Sequence, residues 1–340
     1  MAGRRVHLVG SLPGADAQEA MSDAVHRVGD HLAGLPDGET GERRNWVISM
    51  VEALRTHPDL EEVRAGDWSD YDKVPRMKVR SGRTFSAATI DLGIVAAATA
   101  ARPVYERLAD GRRFPFQVGI PGDVDLALFT FGPIGALRHR KPFTDALVST
   151  IRQVRDLYDD DVVFQIEIPA EVVLLARAPR PARPALARLL AKAVTGLAAR
   201  TDPGTRFGLH LCLGDMNHRP FGRISDAEAL VLLTNAITAA WPQGRPLTFV
   251  HLPLAHADEP PSTSAAFYAP LAGLRLPPGV RVVAGFGHEE QDLAEQTAVR
   301  GAVDRAVGTP VDVSTSCGLG RRSVESGRAA LDRLAELATG

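Results

Sequence analysis

The chain has 340 residues and a formal net charge of -2, from 39 Lys and Arg against 41 Asp and Glu. That near-neutral balance argues against a nucleic-acid or anionic-membrane partner. No apolar run reaches membrane-spanning length, so a cytoplasmic location is expected. Two cysteines make no disulfide scaffold; in a reducing compartment such a pair serves a metal or catalysis, or is inert.

Strand and helix alternate along the chain. Residues 6–9 read as a strand ending in Gly10-Ser11, and a helix follows over Ala17 to Leu32. Residues 34–39 form a short strand ending in the turn Pro36-Asp37-Gly38-Glu39, with a helix from Trp46 to Leu54. Residues 58–90 are polar and irregular and read as an excursion from the core. Leu92 to Ala109 is an Ala-rich helix. Phe116 to Gly119 is a strand broken by Ile120-Pro121-Gly122-Asp123, and Phe143 to Tyr158 is an amphipathic helix. A strand over 162–167 ends at Glu167. The second half continues with a helix over Ala185–Ala199, a strand ending at Cys212, and a helix from Asp226 to Ala240, capped by Ser225 or Asp226. Strands over 247–251 and 281–285, a helix over Gln291–Val307, a strand before Cys317 and a helix from Val324 to Leu337 complete it.

About eight strand–helix units over this length predict a (β/α)8 TIM barrel, one domain over residues 1–340, with the excursion around 58–90. Strands that are apolar without interruption fit a parallel sheet covered on both faces. Polar and reactive residues collect at the C-terminal strand ends: Ser11, Glu39, Asp123, Glu167, His210 with Cys212, His251, His288 and Cys317. In this fold those ends surround one mouth, where active sites lie.

His210 and Cys212 carry the sharpest signal. Two residues apart on an extended strand, they point to one face. With Cys317 from a later strand end they supply three of the four ligands that zinc prefers. The competing reading is a buried core histidine and two inert buried thiols. His251, ending the next strand, is the best-placed fourth ligand; His256, Asp258 and Glu259 are also near in sequence. Gly10-Ser11 could present backbone N–H groups to a carboxylate, and the Glu39 turn could hold an ammonium group. Glu167, before Pro169, pairs with a substrate amine, acts as a base, or is a salt-bridged residue. His288, after Gly285-Phe286-Gly287, donates a proton to a leaving group or is a solvent-facing loop residue. Arg43-Arg44 and Arg321-Arg322 bind anionic substrate parts or form a solvated face.

Five ordered segments resemble the catalytic barrel of the cobalamin-independent methionine synthase superfamily. Val9-Gly10-Ser11-Leu12-Pro13 resembles its Ile-Gly-Ser-Phe-Pro opening. Gly38-Glu39 with Arg43 or Arg44 and Trp46-Val47 resembles Gly-Glu-x-x-Arg-x-x-Met-Val, one residue out of step. Gln165 to Ala170 resembles Gln-Ile-Asp-Glu-Pro-Ala, with Ile168 where a second acid is usual. His210-Leu211-Cys212 resembles the His-x-Cys pair, and Cys317-Gly318-Leu319-Gly320-Arg321-Arg322 the Cys-Gly-Leu-x-x-Arg segment.

The resemblance implies a Zn2+ site of His210, Cys212 and Cys317 that activates a thiol acceptor for methyl or alkyl transfer. It also implies an amino-acid carboxylate at Gly10-Ser11, its amine at Glu39 and Glu167, and His288 assisting proton transfer. Asp123, from its strand end, is a further candidate substrate-binding residue. The family's glutamate ligand falls on the strand that here ends in His251. The N-terminal folate-binding barrel of the full-length enzymes has no counterpart, which argues against a folate polyglutamate donor. The expected partner is a small thiol or amino-acid-like molecule. Two other reactions compete: a zinc-dependent lyase or hydrolase, and a metal-free enzyme resembling uroporphyrinogen decarboxylase. The substrate, the donor and the oligomeric state are not fixed by the sequence.

Overall fold

Residues 3–111 and 114–339 are described by a computed structural model. Ten α-helices occur among them: α1 Ala17–Val28, α2 Trp46–Arg55, α3 Ile94–Ala109, α4 Asp123–Tyr158, α5 Pro169–Arg177, α6 Arg183–Ala199, α7 Glu228–Ala239, α8 Ala265–Tyr268, α9 Leu293–Val307 and α10 Val324–Thr339. Nine strands accompany them: β1 Leu35–Pro36, β2 Leu60–Arg64, β3 Arg76–Val79, β4 Phe116–Pro121, β5 Val162–Glu167, β6 Phe207–His210, β7 Leu247–Pro253, β8 Arg281–Gly287 and β9 Asp312–Thr315.

Seven strands form one parallel sheet in the order β1-β4-β5-β6-β7-β8-β9. Between its two edges lies residue Val6, which bridges Leu32 on one side and Val313 on the other. The expected first strand is therefore reduced to a single-residue bridge, and the sheet is a seven-stranded α/β barrel-like ring. Hydrogen bonds from His7 N to Val313 O and from Ala33 N to Val6 O run along both sides of that bridge.

Alternation along the strands sorts the two faces. Phe116, Phe164 and Phe207 point outward into the main apolar core and are fully buried. Each such ring contributes about 1.5–3 kcal/mol relative to an exposed one. Val163, Phe249 and Val283 form a separate cluster on the other face. Phe249 fills the space opposite Gly208: a Cβ there would lie 2.1 Å from the ring. Above this layer the inward positions turn polar. Gln165, Glu167, His210 and His251 follow Val163, Gly208 and Phe249 at two-residue steps. Register sets Glu167 opposite His210 and His210 opposite His251, so three polar side chains stand in one row at the mouth.

Several expected boundaries move. The strand read as ending at Cys212 stops at His210, because Cys212 N turns back to His210 O, 3.0 Å away. The helix expected from Phe143 is the last part of α4, which begins at Asp123 and is interrupted by non-helical backbone at Gly132 and His139. Pro133 and Pro142, beside those breaks, hid the first part from a periodicity reading. Residues 58–90 contain the antiparallel pair β2–β3, which the lack of clean alternation concealed. Between its strands runs a loop bearing Trp68 and Tyr71. No helix of the described residues is long and apolar enough to cross a membrane.

Candidate metal centre

His210, Cys212 and Cys317 converge: one ligand atom from each lies within 4.8 Å of the others, and all three residues are buried. The sulfurs are 3.6 Å apart, far beyond a disulfide bond. Two thiolates on a tetrahedral zinc at 2.3 Å would be about 3.8 Å apart. The spacing fits a shared ion. The hydrogen bond between the thiols splits their acidities: it raises the Cys212 pKa and lowers that of Cys317, which burial opposes and Arg321 assists.

The hydrogen-bond chain behind His210 fixes its tautomer. Thr315 O can only accept, so His251 Nε2, 3.0 Å away, carries a proton. Burial drives the His251 pKa down to about 3, so the ring is neutral and its Nδ1 is bare. His210 Nδ1, 2.6 Å from that atom, must then be the donor. Burial, then His251, pushes the His210 pKa well down too, which leaves Nε2 as a lone pair. That atom is buried and has no hydrogen-bond partner among the described residues. An unpartnered lone pair beside two sulfurs is the electronic form a metal requires. His251, the expected fourth ligand, is outside the group; both its nitrogens are engaged, and it orients His210 instead.

Two distant segments, at Ser11 and Asp215, support the turn that carries Cys317. The 317–322 segment curls over Gly10-Ser11, with Leu319 N and Gly320 N both donating to Ser11 O at 2.7 and 3.0 Å. A Cβ at Gly318 would lie 2.4 Å from Ser11 Oγ, so the turn tolerates no side chain there. Arg321 donates to Cys317 Sγ and to Ser11 Oγ, both at 3.2 Å, and pairs with Asp215 at 3.1 Å. Its side chain is 7% exposed and that of Asp215 0%. The expectation left Arg321 between an anion binder and a solvated residue; here it is a buried clamp on a thiol sulfur.

Glu39 and Glu167 meet beside this group. A Cβ on Gly119 would lie 2.7 Å from Glu39 Oε1 and 3.3 Å from Glu167 Oε1, and one on Gly10 would lie 2.7 Å from Glu39 Oε2. Both glycines thus leave the room that these carboxyls occupy. Glu39 adopts φ 42, a left-handed conformation costly for a non-glycine. Burial, then Glu167 and Asp37, raises its pKa well above the usual carboxyl range. Gln165 Nε2 holds Glu167 Oε1 at 2.9 Å, while His7 Nε2 lies 2.9 Å from Gln165 Oε1. A cavity of about 60 Å³ opens onto Glu167, Cys212, Asp215, Cys317 and Arg321. Its apolar wall includes Val47, Ile48, Tyr71, Phe129 and Phe221.

Of the expected site residues, Glu167, Cys212 and Cys317 line that cavity, while Gly10, Ser11, Glu39, His210 and His251 do not. Asp123 and His288 make their contacts elsewhere. Asp123 accepts from Thr144 Oγ1 at 2.5 Å and lies 3.6 Å from Arg140 Nε, at the start of α4. His288 is tied through its backbone to Gln296, its Nδ1 accepts from Glu290 N at 3.2 Å, and it does not line the cavity. Both are at strand ends, as read, but their contacts lie with the surrounding helices and loops. Behind Asp123, the fully buried Asp125 and Glu171 interact, and Asp125 Oδ1 accepts from Ala170 N at 2.7 Å. Burial pushes Glu171 up to about 7. The folded chain therefore holds a proton that an unfolded glutamate, near pH 4.5, has released. Stability should be fullest below that pH and fall by about 2–3 kcal/mol as pH rises to 7. Glu171→Gln is expected to reduce this decline in urea titrations from pH 4.5 to 8, with the part due to the buried Asp125 remaining; parallel curves for both proteins would contradict it.

The sequence reading missed Asp215 and Tyr71. Asp215 follows Cys212 by three residues, and only its pairing with Arg321 distinguishes it from an ordinary turn acid.

No protein-family model and no curated protein sequence matches this chain. Solved structures do. A B12-independent methionine synthase from Shewanella sp. W3-18-1, in complex with selenomethionine, superposes with a TM-score of 0.62 at 15% identity, over 99% of this chain and 97% of that one. A methyltransferase from Methanosarcina mazei gives 0.58 at 14% identity, over 99% and 94%. At these identities the likeness establishes the fold alone, an α/β barrel of the kind these two structures share.

Proposed function

We propose that this protein is a zinc-dependent methyl- or alkyltransferase with a thiol acceptor. One observation carries the reading: the bare His210 Nε2 converges with two sulfurs 3.6 Å apart, and both cysteines line a cavity. Three protein ligands beside an open cavity are the pattern of a catalytic zinc site rather than a closed structural one. When bound, zinc supplies Lewis acidity that keeps a thiol anionic and nucleophilic at neutral pH.

The chain's own residues do the rest. His251 holds the His210 ring with its lone pair outward. Arg321 holds Cys317 and offsets negative charge on its sulfur. Glu39 and Glu167 cannot both ionise cheaply while they face each other. An arriving ammonium group removes that repulsion, so an acceptor bearing an amine near its thiol is matched to them. Arg321, on the cavity wall, is the cation we assign to an acceptor carboxylate, and its bond to Ser11 Oγ links it to the Gly10-Ser11 turn. The aromatic and aliphatic wall excludes water from the reacting sulfur.

The test is X-ray absorption at the zinc edge on untagged full-length protein, with and without an amino-acid thiol. The expected spectrum gains one sulfur neighbour when the thiol is added. Absence of zinc, or an unchanged sulfur count with every thiol, overturns the proposal; a gained oxygen alone favours water activation and a hydrolase or lyase.

A further inference from the structure

Tyr71 lies in the β2–β3 loop, more than 140 residues before the cavity loop that it contacts. Its hydroxyl accepts from Met216 N at 2.9 Å and donates to Arg219 O at 3.2 Å. Its ring stacks on Phe221 with centroids 4.7 Å apart. Gly214 is pressed between the two: a Cβ there would lie 2.7 Å from the Tyr71 hydroxyl and 2.5 Å from Phe221 Cβ. A second tie joins the same two loops, from Asn217 Nδ2 to Trp68 O at 2.8 Å. Asn217 and His218 have φ of 54 and 59, a conformation that non-glycine residues keep only when their surroundings enforce it.

Tyr71 is half-buried, and it lines the cavity that holds Cys212 and Cys317. The ring is thus partly exposed and forms part of the wall of the cavity that both cysteines line. A cavity of about 60 Å³ has room for a few water-sized groups, not for a large carrier. We infer that Tyr71, backed by Phe221, is the specificity-determining residue of this cavity, admitting only small electrophiles, a methyl or short unbranched alkyl group on a compact leaving group, to the sulfurs. The ties that hold it are few: two hydrogen bonds from one hydroxyl, one from Asn217 and one ring stack. Such a contact opens locally without unfolding the barrel.

The inference rests on the cavity being where electrophile and sulfur meet, but its test reads the two cysteines directly and needs neither zinc nor turnover. They are the chain's only thiols, so intact mass reports their alkylation without background. The full chain, as purified and after dialysis against a chelator, is treated with iodoacetamide or with a bulky fluorescein maleimide. Each rate is divided by the same reagent's rate with free glutathione. In the wild type the normalised rate with the bulky reagent is expected to be at least about tenfold the slower. Tyr71→Ala should accelerate the bulky reagent about tenfold and iodoacetamide less than about threefold. Tyr71→Phe, which keeps the stack and loses both hydrogen bonds, should raise the bulky-to-small ratio about threefold, and it carries the test should Tyr71→Ala not fold. An unchanged ratio in the folded variants, or equal acceleration of both reagents, overturns the inference. If the ratio shifts as expected in a protein that binds no zinc, the gate stands and the transferase proposal falls.

Discussion

Cys317→Ser protein is expected to bind zinc about two to four powers of ten more weakly than the wild type. A structural zinc site is worth about 10–16 kcal/mol in all, so one thiolate of three ligands accounts for about 3–5 kcal/mol. Serine preserves the side chain's size but not its chemistry, since its hydroxyl stays protonated at neutral pH. The backbone has independent reasons to stay in place. Thr315 Oγ1 donates to Cys317 O at 2.7 Å, and the next residues hang from Ser11 O. The loss would therefore report the sulfur rather than a collapsed turn. Competition with a chromophoric chelator measures it, and far-UV circular dichroism checks the fold. Cys212→Ser should behave alike, because among the described residues Cys212 Sγ accepts only a 3.2 Å bond from Gly214 N besides its contact with Cys317. Zinc affinity within about threefold of wild type in both variants would remove the metal from the proposal.

The alternation of strand and helix and the gathering of reactive residues at strand ends were legible because both follow from local rules. Period-two burial and the parallel register put Glu167, His210 and His251 in one row, so their neighbourhood could be read without a structure. Their roles could not. Which nitrogen of His251 faces His210 depends on Thr315 O, 64 residues downstream, and that carbonyl turns a ligand candidate into an orienting residue. Asp123 and His288 satisfy the strand-end rule equally well, yet Thr144 and Gln296 draw them away from the cavity. Tyr71 lay in a stretch with no periodicity to anchor it. The first strand was overextended because Val6 to Val9 has strand composition, while only Val6 finds partners on both sides.

Arg321→Met is expected to destabilise the protein by about 3–5 kcal/mol, the cost of leaving a buried charge without its partner. Asp215 is the group left behind. Its side chain is fully buried, and the only other ion-pair neighbour among the described residues is His218 Nδ1, 3.9 Å away. Burial alone would lower the Arg321 pKa, but Asp215 and Cys317 outweigh it and raise the value further above the ordinary arginine range. Arg321→Lys should recover only part of the loss. One ammonium cannot reach Asp215, Cys317 and Ser11 together as a guanidinium fork does. Pairing Arg321→Met with Asp215→Asn separates the two costs. If the damage comes from the orphaned carboxylate, the double variant regains at least about 1–2 kcal/mol in urea unfolding, with an unchanged m value. Zinc affinity in that double variant should stay below wild type, because the donor to Cys317 Sγ is still missing. A cost under about 1 kcal/mol for Arg321→Met would instead place the pair with exposed salt bridges, which its burial contradicts, and would mean that the 317–322 turn opens to water in solution.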